Sequence, residues 1–335
     1  MNDNRGREKT SLDSEPPVGI RSLLNRFVGW FHTSSPDSQH IDYFVNTVEP
    51  KLKYVKGYRD RLHEPLRICR EHCRSMIAEI PGPIPLKNSP YSEDPLIKAA
   101  FTGSDQINEL LKHAAKTASQ TPLPGSSRVA LLTMTSTEKT IFGRKKQGNM
   151  IIGDTAMRAV NFTDHNLVGV ATTLENSKEA LEKYSFEIIA EATARELSEI
   201  RTKLVDLRQR QEWLRAMSKM FGSEKKAGMG CVFVPFDPEK EAKQKKLEQM
   251  LMENKSEIAA ASSKSETPEN WLTIVENFLS SPEDILNMRL VTLRLDWSNV
   301  LTNDPEEKAN TLTFSTFTLA DEMQREGVLV AFEQE

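Results

Sequence analysis

The chain has 335 residues, 38% apolar, 27% charged and 7% aromatic, and its 44 basic and 48 acidic side chains leave a net charge of −4. At roughly 150 residues per domain, this length makes two folding units or one unit with a long excursion. An apolar fraction below the usual ~45%, with a mean hydropathy of −0.50, excludes a chain that is core throughout.

No run approaches the ~18 uncharged apolar residues of a membrane-spanning helix. Three cysteines, Cys69, Cys73 and Cys231, are too few for a disulfide framework and suit a reducing compartment. The balanced charge lacks the basic excess of a dedicated nucleic-acid binder, so no nucleic acid is expected as a partner. The polar, charged start Met1–Glu15 has no apolar core of a signal peptide, and the expected location is the cytoplasm.

Residues 1–17 are nearly free of apolar side chains and end in Pro16-Pro17, which predicts a disordered tail. An amphipathic helix is predicted over 18–32. Ile20, Leu23, Leu24, Phe27, Val28 and Phe31 share one face, Trp30 flanks it, and Arg21 and Arg26 supply positive charge. Such a helix docks on its own domain, on a protein partner or on a membrane surface.

A helical region follows over 39–120. Its apolar series runs from Ile41, Phe44, Val45 and Val48 through Leu62, Leu66, Cys69, Cys73 and Ile77, interrupted by Pro50 and Pro65. Pro81-Gly82-Pro83 ends it, and short helices are predicted at Asp94–Phe101 and Ser104–Ala115. The linker Thr121–Ser127 closes this half.

At Arg128 the period becomes alternating. Strands are predicted at Val129–Thr135 and Lys139–Arg144 around a turn at Ser136–Glu138, then at Thr155–Thr163 and Leu167–Thr172 around a turn at Asp164-His165-Asn166. From Lys178 to Phe221 a charged helix carries an a/d seam of about five heptads. Its apolar members include Leu197, Ile200, Leu204, Leu207 and Leu214, with Gln211 at a core position as a register device. Its natural partner is a second charged helix from about Pro238 to Ala261, either folding back within the chain or supplied by another molecule. Together these predict a helical hairpin over 178–265, followed by a short helix over 268–281.

The strictest period-two signal is Val291, Leu293, Leu295 and Trp297. Leu312–Leu319 and Val328–Phe332 complete a second meander. Small meanders are marginal alone, so the expected fold is α+β. In it, one antiparallel β core from 128–174 plus 286–335 is interrupted by the charged, coiled-coil-like hairpin and preceded by the helical region.

Chemistry is sparsely marked. His63, Cys69, His72 and Cys73 have zinc-ligand types, but both cysteines fall on the apolar stripe, where free cysteine behaves as a small hydrophobe. Core packing is the expectation, with no metal or cofactor. Asp154, Asp164 and His165 could supply an acid–base pair near strand ends, yet Asp-His-Asn is also ordinary turn chemistry. No phosphate loop, nucleophile elbow or His-Glu-x-x-His helix is present. The basic runs Arg144–Lys146 and Lys243–Lys246 decorate a hairpin loop and a mixed-charge helix face.

The sequence therefore favours a non-enzymatic interaction or scaffold protein, with a protein partner or self-association. A small-ligand binder or hydrolase-like enzyme at the β core, and a membrane-peripheral protein held by its N-terminal helix, are the alternatives.

Overall fold

Prolines divide the first helical stretch. A computed structural model of the protein describes residues 36–87, 93–117, 127–147, 150–227, 238–265, 267–304, 307–320 and 323–333, all in the unit Pro36–Glu335. Helix α1 (Pro36–Val48) stops before Pro50, and a 3-10 turn, Pro50–Tyr54, follows with the Glu49 carboxylate accepting the Lys51 amide at 3.1 Å. Helix α2 (Tyr58–Ala78) keeps Pro65 in its interior, giving up the amide that would bond the carbonyl four residues earlier.

Beyond α2 the two-residue strand β1 (Ile84–Pro85) leads to α3 (Pro95–Ala100) and α4 (Ser104–Thr117). Asp94 caps α3 by accepting the Leu96 amide at 2.8 Å. Then come β2 (Ser127–Gln147) and β3 (Met150–Ala171), α5 (Leu174–Ala227), α6 (Pro238–Ser265), α7 (Pro268–Leu279) and α8 (Pro282–Ile285). Strands β4 (Leu286–Leu295), β5 (Asn310–Leu319) and β6 (Met323–Glu333) finish the chain. The fold is mixed α+β, with the helical excursion between the two groups of strands.

The long strands form one sheet in the order β3-β2-β6-β5-β4, all neighbours antiparallel. β2 pairs β6 from Ser127↔Glu333 to Met134↔Glu326, merging the two groups. Strand β5 stays beside β6 only over Met323–Gly327, and β1 takes the place it leaves, pairing in parallel at Val330 and Ala331. The turn after β4 crosses to the opposite edge. The Val160 amide donates to Asn299 (2.9 Å) and the Leu301 amide to Arg158 (2.8 Å), so the sheet curls towards closure.

One sheet face, with Leu132, Met134, Phe162, Phe314, Val328 and Val330, packs against α3 and α4. The other carries Leu131 and Leu329 against Ile77, Ile80 and Leu181. A helical core of α1, α2, α5 and α7 adjoins it around Phe44, Leu62, Phe186, Ile189 and Leu272.

Three expectations are corrected. Ser136–Glu138 is not a turn: β2 runs straight through it, and one long hairpin replaces four short strands. Asp164-His165-Asn166 is a β-bulge inside β3, where Thr133 and Thr135 face Asn166 and Thr163. Trp297 is not an inward strand residue but lies 92% exposed in the turn held by the Asp296 carboxylate, which accepts the Ser298 and Val300 amides. In the first two cases a polar triplet that usually breaks a strand is absorbed by the ladder, and in the third Asp296 ends the strand at Leu295, two residues early. The predicted tail 1–17 and the helix 18–32 lie outside the described residues, as does Cys231.

Gly82 has φ +113°, and a Cβ there would stand 2.4 Å from the Leu329 carbonyl oxygen, one residue from the Pro81 carbonyl that accepts the Leu329 amide at 2.9 Å. Gly82→Ala is expected to lower stability by about 2 kcal/mol or more in urea unfolding. An unchanged midpoint would show that this segment is not held against β6.

Candidate functional site

The residues predicted to carry chemistry do not converge. Asp154 and Asp164 both occupy bulges of β3 at left-handed φ (52° and 53°), and the strand separates Asp154 from His165 by roughly 35 Å. His165 stacks on Phe101 (4.3 Å between ring centroids, 26°) and bonds the Ala100 backbone. Burial pushes its pKa down. Together with Asn299, whose amide donates to the Ala99 carbonyl at 2.9 Å, it pins the end of α3 to the sheet. The Asp164 carbonyl accepts from Arg325 at 3.3 Å. The contacts of His165 and Asp164 are thus positioning contacts between α3, β3 and β6.

Cys69 and Cys73 are fully buried in the helical core, and burial pushes both thiols up to about 12. That suppresses the thiolate a metal or a disulfide exchange needs. The Cys69 thiol donates to the Leu279 carbonyl (3.3 Å), and His72 Nε2 lies 2.7 Å from the Leu286 carbonyl. Among the described residues no three His, Cys, Asp or Glu side chains gather as a metal site.

His63 instead lines a cleft of about 200 Å³ between α1 and α2, floored by Ile41 and Leu66 and edged by His40, Arg67, Arg70 and Arg74. This is below the ~300–1,000 Å³ of a drug-sized ligand pocket. Its cations are also committed within the fold: Arg67 pairs Glu64 and Glu71, and Arg74 pairs Glu182.

A second polar cluster carries no sequence motif. On α5, Glu187 and Glu191 are one turn apart, and Tyr43 of α1 donates to Glu187 at 3.3 Å. Burial, reinforced by the neighbouring Glu191, raises Glu187 to about 7 against the Tyr43 bond, and burial raises Glu191 as well. Packing of helices far apart in sequence, with α1 bringing Tyr43 to α5, creates this environment, so periodicity could not have found it.

The hairpin is the largest built feature outside the cores. Helix α5 has 54 residues, or about 80 Å at 1.5 Å per residue. Phe186, Ile189, Ala190 and Leu197 belong to the helical core. Farther along, Leu204, Leu207 and Leu214 are buried as α5 packs on α6, whose Leu247 and Asn254 are buried too. The seam thus closes within the chain. Ile200 and Gln211 are only half-buried, and the polar residue at its centre is Asn254 rather than Gln211. Asn254 is 1% exposed and donates to the Leu207 carbonyl at 3.2 Å, while its own Oδ1 has no partner among the described residues.

At the hairpin's base, the Arg201 guanidinium lies 4.1 Å over the Trp271 ring and binds the Glu49 carboxylate, with Lys51 also above Trp271. On the outer side Val205, Trp213 and Met220 are 50%, 57% and 67% exposed. At 100° per residue they fall within about 80° of one another, turned away from the Leu204–Leu214 seam.

The fold and these surfaces define a mixed α+β protein with an inserted helical hairpin. No family model, curated protein or solved structure matches it. Among the described residues, no helix is long and apolar enough to cross a membrane.

The raised Glu187 carboxyl has a signed consequence. Its folded pKa of about 7 exceeds the ordinary 4.5, so the folded state holds the extra proton between those values. Stability from this group therefore falls as pH rises from 4.5 to 7. Glu187→Gln is expected to raise the thermal midpoint at pH 8 and to leave it unchanged at pH 4. Equal midpoints at both pH values would show that Glu187 is solvated like a surface carboxylate.

Proposed function

We propose that the protein is a non-enzymatic interaction protein that uses its helical hairpin as an adaptor arm on the β platform. The observation that carries this reading is the outer row Val205, Trp213 and Met220. It exposes large apolar side chains on a helix whose seam is already satisfied by α6. An exposed tryptophan between two aliphatic or thioether side chains is the composition of an interface centre, where aromatic and methionine side chains are enriched. Support also comes from the base of the arm. Arg201, Glu49 and Trp271 fix its departure from the helical core, so a bound partner would be held at a defined angle.

The occupant is a protein with a complementary apolar groove or helix face. A Val205→Ser, Trp213→Ser, Met220→Ser variant of the full chain should keep its thermal midpoint within about 2 °C, since all three side chains face solvent. Affinity capture from native extract should lose at least about tenfold of a partner retained by the unaltered chain, because hot-spot truncations cost more than ~1.4 kcal/mol. Identical capture by both proteins would overturn the reading.

A further inference from the structure

The hairpin of β2 and β3 outruns its sheet. Pairing with β6 stops at Met134, and the crossing turn Asn299–Leu301 supports β3 only as far as Arg158. Beyond that point, among the described residues, the two strands pair only with each other, from Ile141↔Met157 to Gln147↔Met150. They form a ribbon about 23 Å long. Near its root solvent reaches both faces, because Ile141 and Phe142 are successive residues on opposite sides and are 38% and 72% exposed.

Two-stranded ribbons are marginal in water and are ordinarily polar where nothing covers them. This one is apolar and basic. Between Thr137 and Arg158 five basic residues stand against two acidic ones, a charge of +3 on a chain whose total is −4. Arg158 and Glu138 pair at the root (3.2 Å), so the excess belongs to Lys139 and to the stretch Arg144-Lys145-Lys146 nearer the end. A second exposed aromatic stands at the foot. Trp297, 92% exposed, sits in the turn whose backbone is bonded to β3 at Arg158 and Val160.

We propose that the ribbon is a membrane-docking arm that binds a bilayer surface rich in anionic lipid headgroups. Phe142 and Ile141 enter the boundary between headgroups and acyl chains, and the basic stretch supplies the electrostatic attraction. Trp297 provides an amphipathic ring suited to the headgroup level. A bilayer fits better than a nucleic acid. A phosphate backbone would be met by the cations alone and would leave an aliphatic and an aromatic side chain exposed on opposite faces of one ribbon. A bilayer boundary accepts both.

The test uses the full chain with phosphatidylcholine vesicles, either pure or containing about 30 mol% phosphatidylserine, and a duplex oligonucleotide in a parallel arm. The expected results are at least about tenfold preference for the anionic vesicles and loss of about tenfold or more of that binding in Lys145→Glu, Lys146→Glu. Phe142→Ser should weaken it severalfold, with Ile141→Ser as a second apolar variant and Trp297→Ser as the check on the foot. Thermal midpoints of the variants establish that they fold. No preference for anionic vesicles overturns the proposal. Vesicle binding unchanged in both the charge and the Phe142 variants assigns it to another part of the chain and overturns it. Oligonucleotide binding that depends on Lys145 and Lys146, with vesicle binding indifferent to Phe142, marks a general polyanion site and overturns it too.

Discussion

The β2–β6 ladder joins residues about two hundred positions apart, and every other placement in the described unit follows from that junction. From Ser127↔Glu333 to Met134↔Glu326 the two strands are covered on both faces, with Ala130, Leu132, Val328 and Val330 on one side and Leu131 and Leu329 on the other. Closing so long a loop costs only slightly more than closing a short one, because the entropy grows with the logarithm of length. The contacts that follow are mostly nonlocal, which slows folding without weakening the product. Where the ladder ends, Glu326 is 2% exposed and accepts both the amide and the hydroxyl of Ser136, at 3.0 and 2.8 Å. Two hydrogen bonds to a buried carboxylate mark the point where β2 leaves the sheet.

With those strands joined, the helices between them must leave and return on one side of the sheet. The first part of α5 covers that face, and its continuation has no sheet beneath it. It is held instead by α6 and by the cluster of Glu49, Arg201 and Trp271. Within the seam, Asn254 trades stability for register. A buried amide with one unsatisfied acceptor is weaker than a leucine, but it bonds the Leu207 carbonyl in only one alignment of the two helices.

Much of this arrangement is legible in the chain because burial has a period. The stripe from Ile41 to Ile77, the seam from Leu197 to Leu214 and the alternation from Val291 to Leu295 each report the face turned inward, and the structure places those faces accordingly. Turn chemistry was the weaker guide. Asp164-His165-Asn166 and Ser136-Thr137-Glu138 have the composition of turns, but a neighbouring strand can absorb an extra residue as a bulge, and pairing across the sheet overrides local preference. The Glu187–Glu191–Tyr43 cluster was invisible for a different reason: its chemistry comes from proximity between helices far apart in sequence. For Gln211 and Asn254, spacing identified a seam that tolerates a polar residue but not which of the two helices carries it.

The same bulges bear on how an exposed edge is kept from pairing with another sheet. β3 is an edge strand with extra residues near Asp154, Asp164 and Gly169, each at positive φ. Each bulge interrupts the row of outward-facing backbone groups and increases the local twist, so another strand cannot continue the ladder far. Protection of this kind works on backbone and leaves side chains free, which is why Phe142 and Ile141 can remain exposed on a ribbon that does not extend its own sheet.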